Sequence, residues 1–379
     1  MKEIINASLL ISGTAIGAGL IALPIMAANL GVKISLAFVI AMVFVAYQSS
    51  MMTLDLNDLN GKSDSIVEMS NKLSGRGAFL VTLLSFYMLS ISLLTAYFAG
   101  ITDSIVTFFS IKNSSLAALL CGLGLYAILY LKSEAFSKLN SVLVVILLIV
   151  IMISLIKIHT SQKVIFPQAV LSKSEFFAFL PIIFTSFGVQ NICPYIHHYL
   201  KKDRKKINLS FLIGIIIPAI VYIVWIYFVF ENILSRDIIF FERLQNHQVS
   251  AGELVKFLCE SSNSALIDVV LKILSLFAMI TSAIGIGLGL VKSINEIAAP
   301  SPRLAGIIVC IIPVMIVLIT PDTFISVLSF GGIIATIFVI FTPYFLLFKH
   351  KTGTKMKIKY NICLACGVII AACELLRHI

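Results

Sequence analysis

Charge is scarce in this sequence: Asp, Glu, Lys and Arg together make up 12% of its 379 residues. A soluble globular chain carries roughly 25%, and half of that cannot coat a surface that faces water. Lipid must cover much of the surface instead. The alternation of apolar and polar residues over ~10-residue segments that marks a membrane β-barrel is also missing. Uncharged apolar runs such as 141–156 and 307–319 stand in its place. No polar linker is long enough to set off a soluble domain. The seven cysteines are scattered, mostly inside apolar runs, which argues against a disulfide framework. Cys363 and Cys366 form a CxxC, but inside the last hydrophobic segment, where neither redox chemistry nor a metal is expected. Segment 4–30 lacks a signal-peptide cleavage pattern and is too long for the apolar core of one, so it is expected to remain as a helix.

Catalytic constellations are absent as well. There is no HExxH, and no Ser/His or Cys/His combination falls at matching membrane depth, so an intramembrane enzyme is not expected. Rings of charge that would line a channel are missing. No carboxylate lies near the centre of an apolar run; Asp55, Glu231, Asp268, Glu296, Asp322 and Glu374 all lie near ends. His197 and His198 border the basic cluster 201–206 and are expected at the cytoplasmic surface. Lys272, about two turns into its run, is expected to snorkel outward.

What is present is hydrophobicity: 59% of residues are apolar, and the mean hydropathy is +1.06. Crossing a bilayer takes about 20 apolar residues per helix. The sequence divides into about eleven such spans, at 5–30, 34–56, 77–108, 114–131, 138–157, 175–199, 207–230, 265–295, 303–320, 323–348 and 358–376. The net charge of +10 comes from basic residues in short loops between spans, which suits the positive-inside rule and not nucleic-acid binding. With the N-terminus inside, basic residues fall about two to one on the cytoplasmic side, dense clusters included. An odd span count then puts the C-terminus outside. The 57–76 stretch is expected as a polar cytoplasmic loop, and 231–263 as an outer stretch with a short surface helix at 253–259.

Two spans are interrupted. The first holds Gly13-Thr14-Ala15-Ile16-Gly17-Ala18-Gly19, and three glycines there weaken a helix by roughly 1 kcal/mol each. A small-residue packing face is the alternative for Gly13 and Gly17. The sixth holds Phe184-Thr185-Ser186-Phe187-Gly188, followed by Gln190, Asn191 and Pro194. Each interrupted span opens a set of five, and five is odd, so the two halves are expected to be inverted in the membrane. Paired broken helices in inverted halves point to a transporter binding site. Their free N–H groups suit a carboxylate, and their free carbonyls an ammonium or a sodium ion. Tyr97, in a third span that also carries Tyr87, Ser90, Ser92 and Thr95, is either a substrate contact or a packed aromatic. In the eighth span Thr281 and Ser282 precede Gly285, Gly287 and Gly289, a GxGxG inside an apolar helix and so no nucleotide fingerprint.

"SGTAIGAGLIALPI" and "PIIFTSFGVQNICPYI", with Tyr97 in "LLTAYFAG" and Thr281-Ser282 in "ITSAIGIGLGL", resemble the bacterial aromatic amino-acid permeases of tyrosine/tryptophan type. The resemblance covers essentially the whole chain. The glycine motifs alone reach only the wider amino acid–polyamine–organocation superfamily. The resemblance implies an all-α, LeuT-like fold: a five-helix repeat over 1–158, an inverted repeat over 174–348 and an eleventh helix over 357–379. It implies an ion-coupled symporter of the bacterial inner membrane that imports an aromatic amino acid, tyrosine first, with serine/threonine uptake as the rival. No cofactor is implied beyond a coupling ion, H+ or Na+. The substrate carboxylate would meet the N–H groups of Gly17, Ala18 and Gly19. Its ammonium would meet carbonyls near Ala15, Phe184 and Phe187, with Phe184 as an aromatic gate. Thr281 and Ser282 stand where sodium-coupled relatives bind sodium; back-bonding to their own helix is the alternative. A membrane lysine that some proton-coupled members keep in the fifth helix has no counterpart inside 141–156.

Overall fold

The computed structural model describes residues 1–62, 64–111, 113–129, 173–261, 265–298, 301–321, 323–350 and 358–377, with 145, 146, 149 and 166 besides. Every regular element among them is helical. The first apolar stretch is split into α1 (Lys2–Ala15) and α2 (Gly19–Ala27), bent by 52° across 16–18. Then follow α3 (Gly31–Asn60), α4 (Ile66–Ser74), α5 (Arg76–Phe109) and α6 (Ser114–Leu129). The fifth expected span, 138–157, and the boundary between the expected repeats lie outside the described residues. The second interrupted stretch comprises α7 (Lys173–Ser186), a 3₁₀ turn at Gln190–Ile192 and α8 (Cys193–Tyr199). Next come α9 (Arg204–Arg236), α10 (Ile238–Gln245), α11 (Ala251–Ser261), α12 (Ala265–Ala298) and α13 (Pro302–Ile319). α14 (Phe324–Thr336) runs through a π turn at Ile337–Phe341 into α15 (Thr342–His350), and α16 (Ile358–Arg377) closes the chain.

Among the described residues, seven helices or helix runs are long and apolar enough to cross a bilayer, and the bent α1–α2 pair makes an eighth; α6 and α13 are shorter apolar helices. Their surfaces suit lipid: Leu80, Leu84, Leu123, Ile220 and Ile311 are exposed. A row of such residues in water would be an aggregation site.

Broken and proline-bearing helices leave carbonyls without helix donors, and α1–α2 and α9 satisfy each other's. Pro24 deprives the Leu20 carbonyl of its partner, and Trp225 Nε1–H donates to it at 2.6 Å. Pro218 does the same to Gly214, whose carbonyl shares the Ser12 hydroxyl, at 3.0 Å, with the Ser8 carbonyl at 2.8 Å. Ser8 Oγ donates to the Ser210 carbonyl at 3.2 Å. A Cβ on Gly214 would fall 2.6 Å from Ile11 Cβ, so the backbones meet through small residues. The same rule seats α14 on α7. A Cβ on Gly332 would lie 2.5 Å from Pro181 Cβ and 2.6 Å from the Pro181 carbonyl oxygen. Backbone cannot give way as a side-chain tip can. Gly332→Ala is therefore expected to destabilise by about 1–3 kcal/mol, read as a lower Tm in detergent; an unchanged Tm would contradict this packing.

Three expectations change. The 57–76 stretch is not all loop: Ser65 and Glu68 form a capping box that starts α4. The hydrogen bond from Lys72 to Asp64 holds the lysine ammonium above its ordinary range. The 231–263 stretch carries two helices, and α11 is no free surface helix. Its Leu254, Val255 and Leu258 are buried, and Asp103 of α5 accepts from the Gly252 N–H at 2.7 Å. His197 is not at the surface: its side chain is fully buried. Lys201 and Lys202 take left-handed backbone angles, φ 52° and 61°. The chain thus turns back at the start of the basic cluster, leaving the inner face of α8 against α3. His198 does remain exposed. Lys272 meets its expectation in part: it lies in the second turn of α12 but pairs with Asp268 at 2.9 Å.

Candidate functional site

The two interruptions meet at a cavity of about 930 Å³. Gly13, Thr14, Ala15, Ala18 and Gly19 line it from the first break, and Phe184, Thr185, Ser186, Gly188 and Gln190 from the second. Tyr97 of α5 and Thr281 and Ser282 of α12 complete the wall. Thirteen of the fifteen expected site residues are thus brought together. Gly17 and Phe187 do not line the cavity. Gly17 lies behind the wall, where a Cβ would come within 2.7 Å of Ser282 Oγ and 3.2 Å of the Tyr97 hydroxyl. The Phe187 ring turns away and packs edge-on against Tyr222, centroids 5.4 Å apart.

Local backbone explains what the site presents. The N–H groups of Gly17, Ala18 and Gly19 take no backbone partner among the described residues; hydrogen bonding resumes with Leu20, which donates to Gly17. They sit at the N-terminus of α2, where partial positive charge collects. Ala15 and Ser186 end α1 and α7, where partial negative charge collects. Both carbonyls point at the Tyr222 hydroxyl, at 2.8 and 3.0 Å. One hydroxyl has one proton, so it serves one carbonyl at a time. The Phe184 carbonyl already accepts from the Phe187 N–H at 3.1 Å. The ammonium contacts expected at Ala15 and Phe184 are therefore partly taken by the chain itself.

The hydroxyls of the wall follow one rule. Thr14, Thr185, Ser186, Thr281 and Ser282 each donate to a carbonyl four residues back in their own helix. Their protons are spent, so they face the cavity as acceptors. The Ser282 and Tyr97 hydroxyls both flank Gly17, 2.7 and 3.2 Å from where its Cβ would stand. Back-bonding and cavity lining thus hold together at Thr281 and Ser282. The site offers helix ends of both signs, hydroxyl acceptors and no ionised side chain beside the breaks. That combination can hold a small zwitterion without burying an unpaired charge.

The cavity continues past Asn191 to α4, Tyr195, His198 and Lys292. Lining residues are exposed at that end (Glu68, His198, Lys292) and buried at the other (Ala18, Phe184, Ser186), so water enters beside α4. Several lining residues had no sequence signal. Leu328, Ala335, Phe338 and Val339 of α14 and its π turn come from an unpatterned apolar run. Tyr222 carries no more signal than Tyr227 five residues on, since both are tyrosines within one apolar run.

Comparison with known proteins places these features. The family model described as the tryptophan/tyrosine permease family matches residues 1–376. "Glutamine transporter 2" of Aliivibrio fischeri is 27% identical, the match covering 90% of this chain and 87% of that one. "Tyrosine-specific transport system 1" of Haemophilus influenzae is 23% identical over 93% of this chain and 89% of its own length. "Tryptophan-specific transport protein" of Pseudomonas aeruginosa is 24% identical over 90% and 85%. Each of these relatives is by name a transport protein, not an enzyme. With a match running nearly end to end, and two broken helices meeting at a shared cavity, this multi-pass membrane protein belongs to the tryptophan/tyrosine permease family.

Proposed function

We propose that the protein is a secondary active transporter that imports a neutral amino acid, tyrosine first, across a bacterial inner membrane by alternating access. In this reading the N-terminus is cytoplasmic and the C-terminus periplasmic. The chain forms a five-plus-five inverted repeat of LeuT-like kind, with α16 as its eleventh span. The cavity open beside α4 is then the inward-facing form. One observation carries the reading: helix ends of opposite sign converge on one cavity. They match the carboxylate and ammonium that every amino acid shares. Tyr97, Phe86 and Phe338 supply aromatic wall for a ring. A glutamine reading is favoured by the relative named for that substrate and by Ser90, Gln190 and Asn191 in the lining.

Uptake of labelled tyrosine, tryptophan, phenylalanine, serine and glutamine into proteoliposomes, under separately imposed sodium and proton gradients, tests substrate and coupling ion together. Saturable uptake of tyrosine driven by one gradient is expected; conductance without saturation would favour a channel. The double variant Thr281→Val, Ser282→Ala removes two acceptor oxygens. Sodium-driven uptake would lose its sodium dependence in that variant, and proton-driven uptake would keep its pH dependence.

A further inference from the structure

Among the described residues, one serine in the cavity lining breaks the rule that the other serines and threonines follow. Those of the two breaks, with Thr281 and Ser282, bond back to their own helices. Ser65 bonds Glu68, and Ser293 bonds Tyr87. Ser90 of α5 also lines the cavity, yet its hydroxyl makes no hydrogen bond among the described residues. It is 2% exposed. A hydroxyl that deep is costly to leave unpaired, so its place in the wall needs a reason.

The opposite wall supplies one. α5 and α12 run antiparallel in a steady register. A Cβ on Gly100 would meet the Met279 sulfur at 2.7 Å, Tyr97 and Ser282 flank Gly17 together, and Tyr87 and Ser293 share a hydrogen bond at 3.2 Å. Ser90 lies seven residues from Tyr97, and Gly289 seven from Ser282. Seven residues are two turns, so each keeps the face of its helix that lines the cavity. The register that pairs Tyr97 with Ser282 therefore pairs Ser90 with Gly289. A Cβ on Gly289, or on Gly285 one turn away, would meet nothing within 4 Å. Gly287 is different: its Cβ would press Leu129 at 3.0 Å. Bare backbone thus faces Ser90 across open space.

α14 closes the slot on a third side. A Cβ on Gly331 would lie 3.9 Å from side-chain carbons of Leu89 and Leu93, and the Phe338 ring stands 5.7 Å from that of Phe86. Ala335, between Gly331 and Phe338 and in the lining, is then level with Ser90. Leu89, Leu93, Ala335 and Phe338 bring only carbon to that level.

We propose that Ser90 is a specificity-determining residue whose hydroxyl takes the phenol oxygen of tyrosine, with the ring in the slot against Gly285 and Gly289. The proposal rests on the transport reading, in which the charged ends of the amino acid sit at the two breaks. Ser90 lies about 10 Å along α5 from Tyr97, which stands beside the first break. That span is longer than a glutamine side chain reaches and closer to the length of a tyrosine. A phenol has one proton to give and an oxygen that accepts, and a serine hydroxyl answers both. A glutamine amide has two N–H hydrogens and a carbonyl, and the carbon around Ser90 would leave N–H unpaired. Phenylalanine would drive water from the slot and leave Ser90 itself unpaired.

Initial uptake rates of labelled tyrosine and phenylalanine in proteoliposomes give kcat/KM for each. Wild type is expected to favour tyrosine about tenfold to a hundredfold. Ser90→Ala is expected to bring the ratio within about threefold of one, chiefly by lowering the value for tyrosine. Its Tm in detergent should match wild type, because no hydrogen bond within the chain is lost. A clearly lower Tm would reveal an internal partner and overturn the proposal. A wild-type ratio near one, or a ratio that Ser90→Ala leaves unmoved, overturns it too. Calorimetric titration of the detergent-solubilised protein with tyrosine and with phenylalanine repeats the comparison without transport. Binding that prefers tyrosine through Ser90, with no uptake in proteoliposomes, would sink the transport reading and leave the contact. Saturable tyrosine uptake with an unmoved ratio would do the reverse. Saturable uptake of glutamine alone would overturn the contact and move the substrate to glutamine.

Discussion

Uptake by a Gly17→Val variant is expected to fall about a hundredfold while the amount of protein in the membrane stays the same. A single added Cβ already meets Ser282 Oγ at 2.7 Å and the Tyr97 hydroxyl at 3.2 Å. Valine adds two further carbons on a stiff, branched side chain. Overpacking of this kind costs about 1–3 kcal/mol. It would push α12 or α5 away from the break, and a displacement of about 1 Å at a binding centre can cost a hundredfold. Insertion should not suffer, because valine is more apolar than glycine. Initial rates in proteoliposomes, normalised to reconstituted protein, decide the matter. Kinetics equal to wild type would remove the first break from the site. Gly17→Ala should give an intermediate loss, since Ser282 and Tyr97 are side chains and can yield a few tenths of an ångström.

Tyr222→Phe is the second change with a large expected effect. The ring and its contact with Phe187 survive, and only the hydroxyl is lost. Two carbonyls at helix C-termini, Ala15 and Ser186, then face each other with no proton between them. An acceptor left buried and unsatisfied costs about 1–3 kcal/mol. The two half-helices would draw apart or admit water, and the site between them would lose its geometry. KM is expected to rise about tenfold or more, with a lower Tm in detergent. If KM holds while Tm drops, Tyr222 supports the fold without positioning the breaks. Neither value moving would mean the hydroxyl joins nothing that matters.

The residues that the sequence marks as a site are those with a local cause. Gly17, Gly19 and Gly188 mark the interruptions because glycine weakens a helix locally, although Gly285, Gly287 and Gly289 lie inside an unbroken α12. Tyr97, Thr281 and Ser282 stand out as hydroxyls within apolar runs. Proximity of His197 to a basic cluster says nothing about which way its helix turns; two left-handed lysines decide that. The polarity of 57–76 masks α4, whose only local mark is a four-residue capping signal, Ser65 to Glu68.

A helical membrane protein, two interrupted helices and the small and hydroxyl residues that flank each break are legible along the chain. These follow from hydrophobic run length and backbone propensity, which act over one or two turns. Tertiary structure alone decided how the breaks are held. The Ala15 carbonyl finds its proton on Tyr222, 207 positions along the chain. The Leu20 carbonyl, orphaned by Pro24, finds Trp225, 205 positions along. Asp58 finds His197 at a separation of 139. A buried polar atom must be satisfied, but which distant residue satisfies it depends on how helices pack, and apolar helices of similar composition carry no local mark of their neighbours.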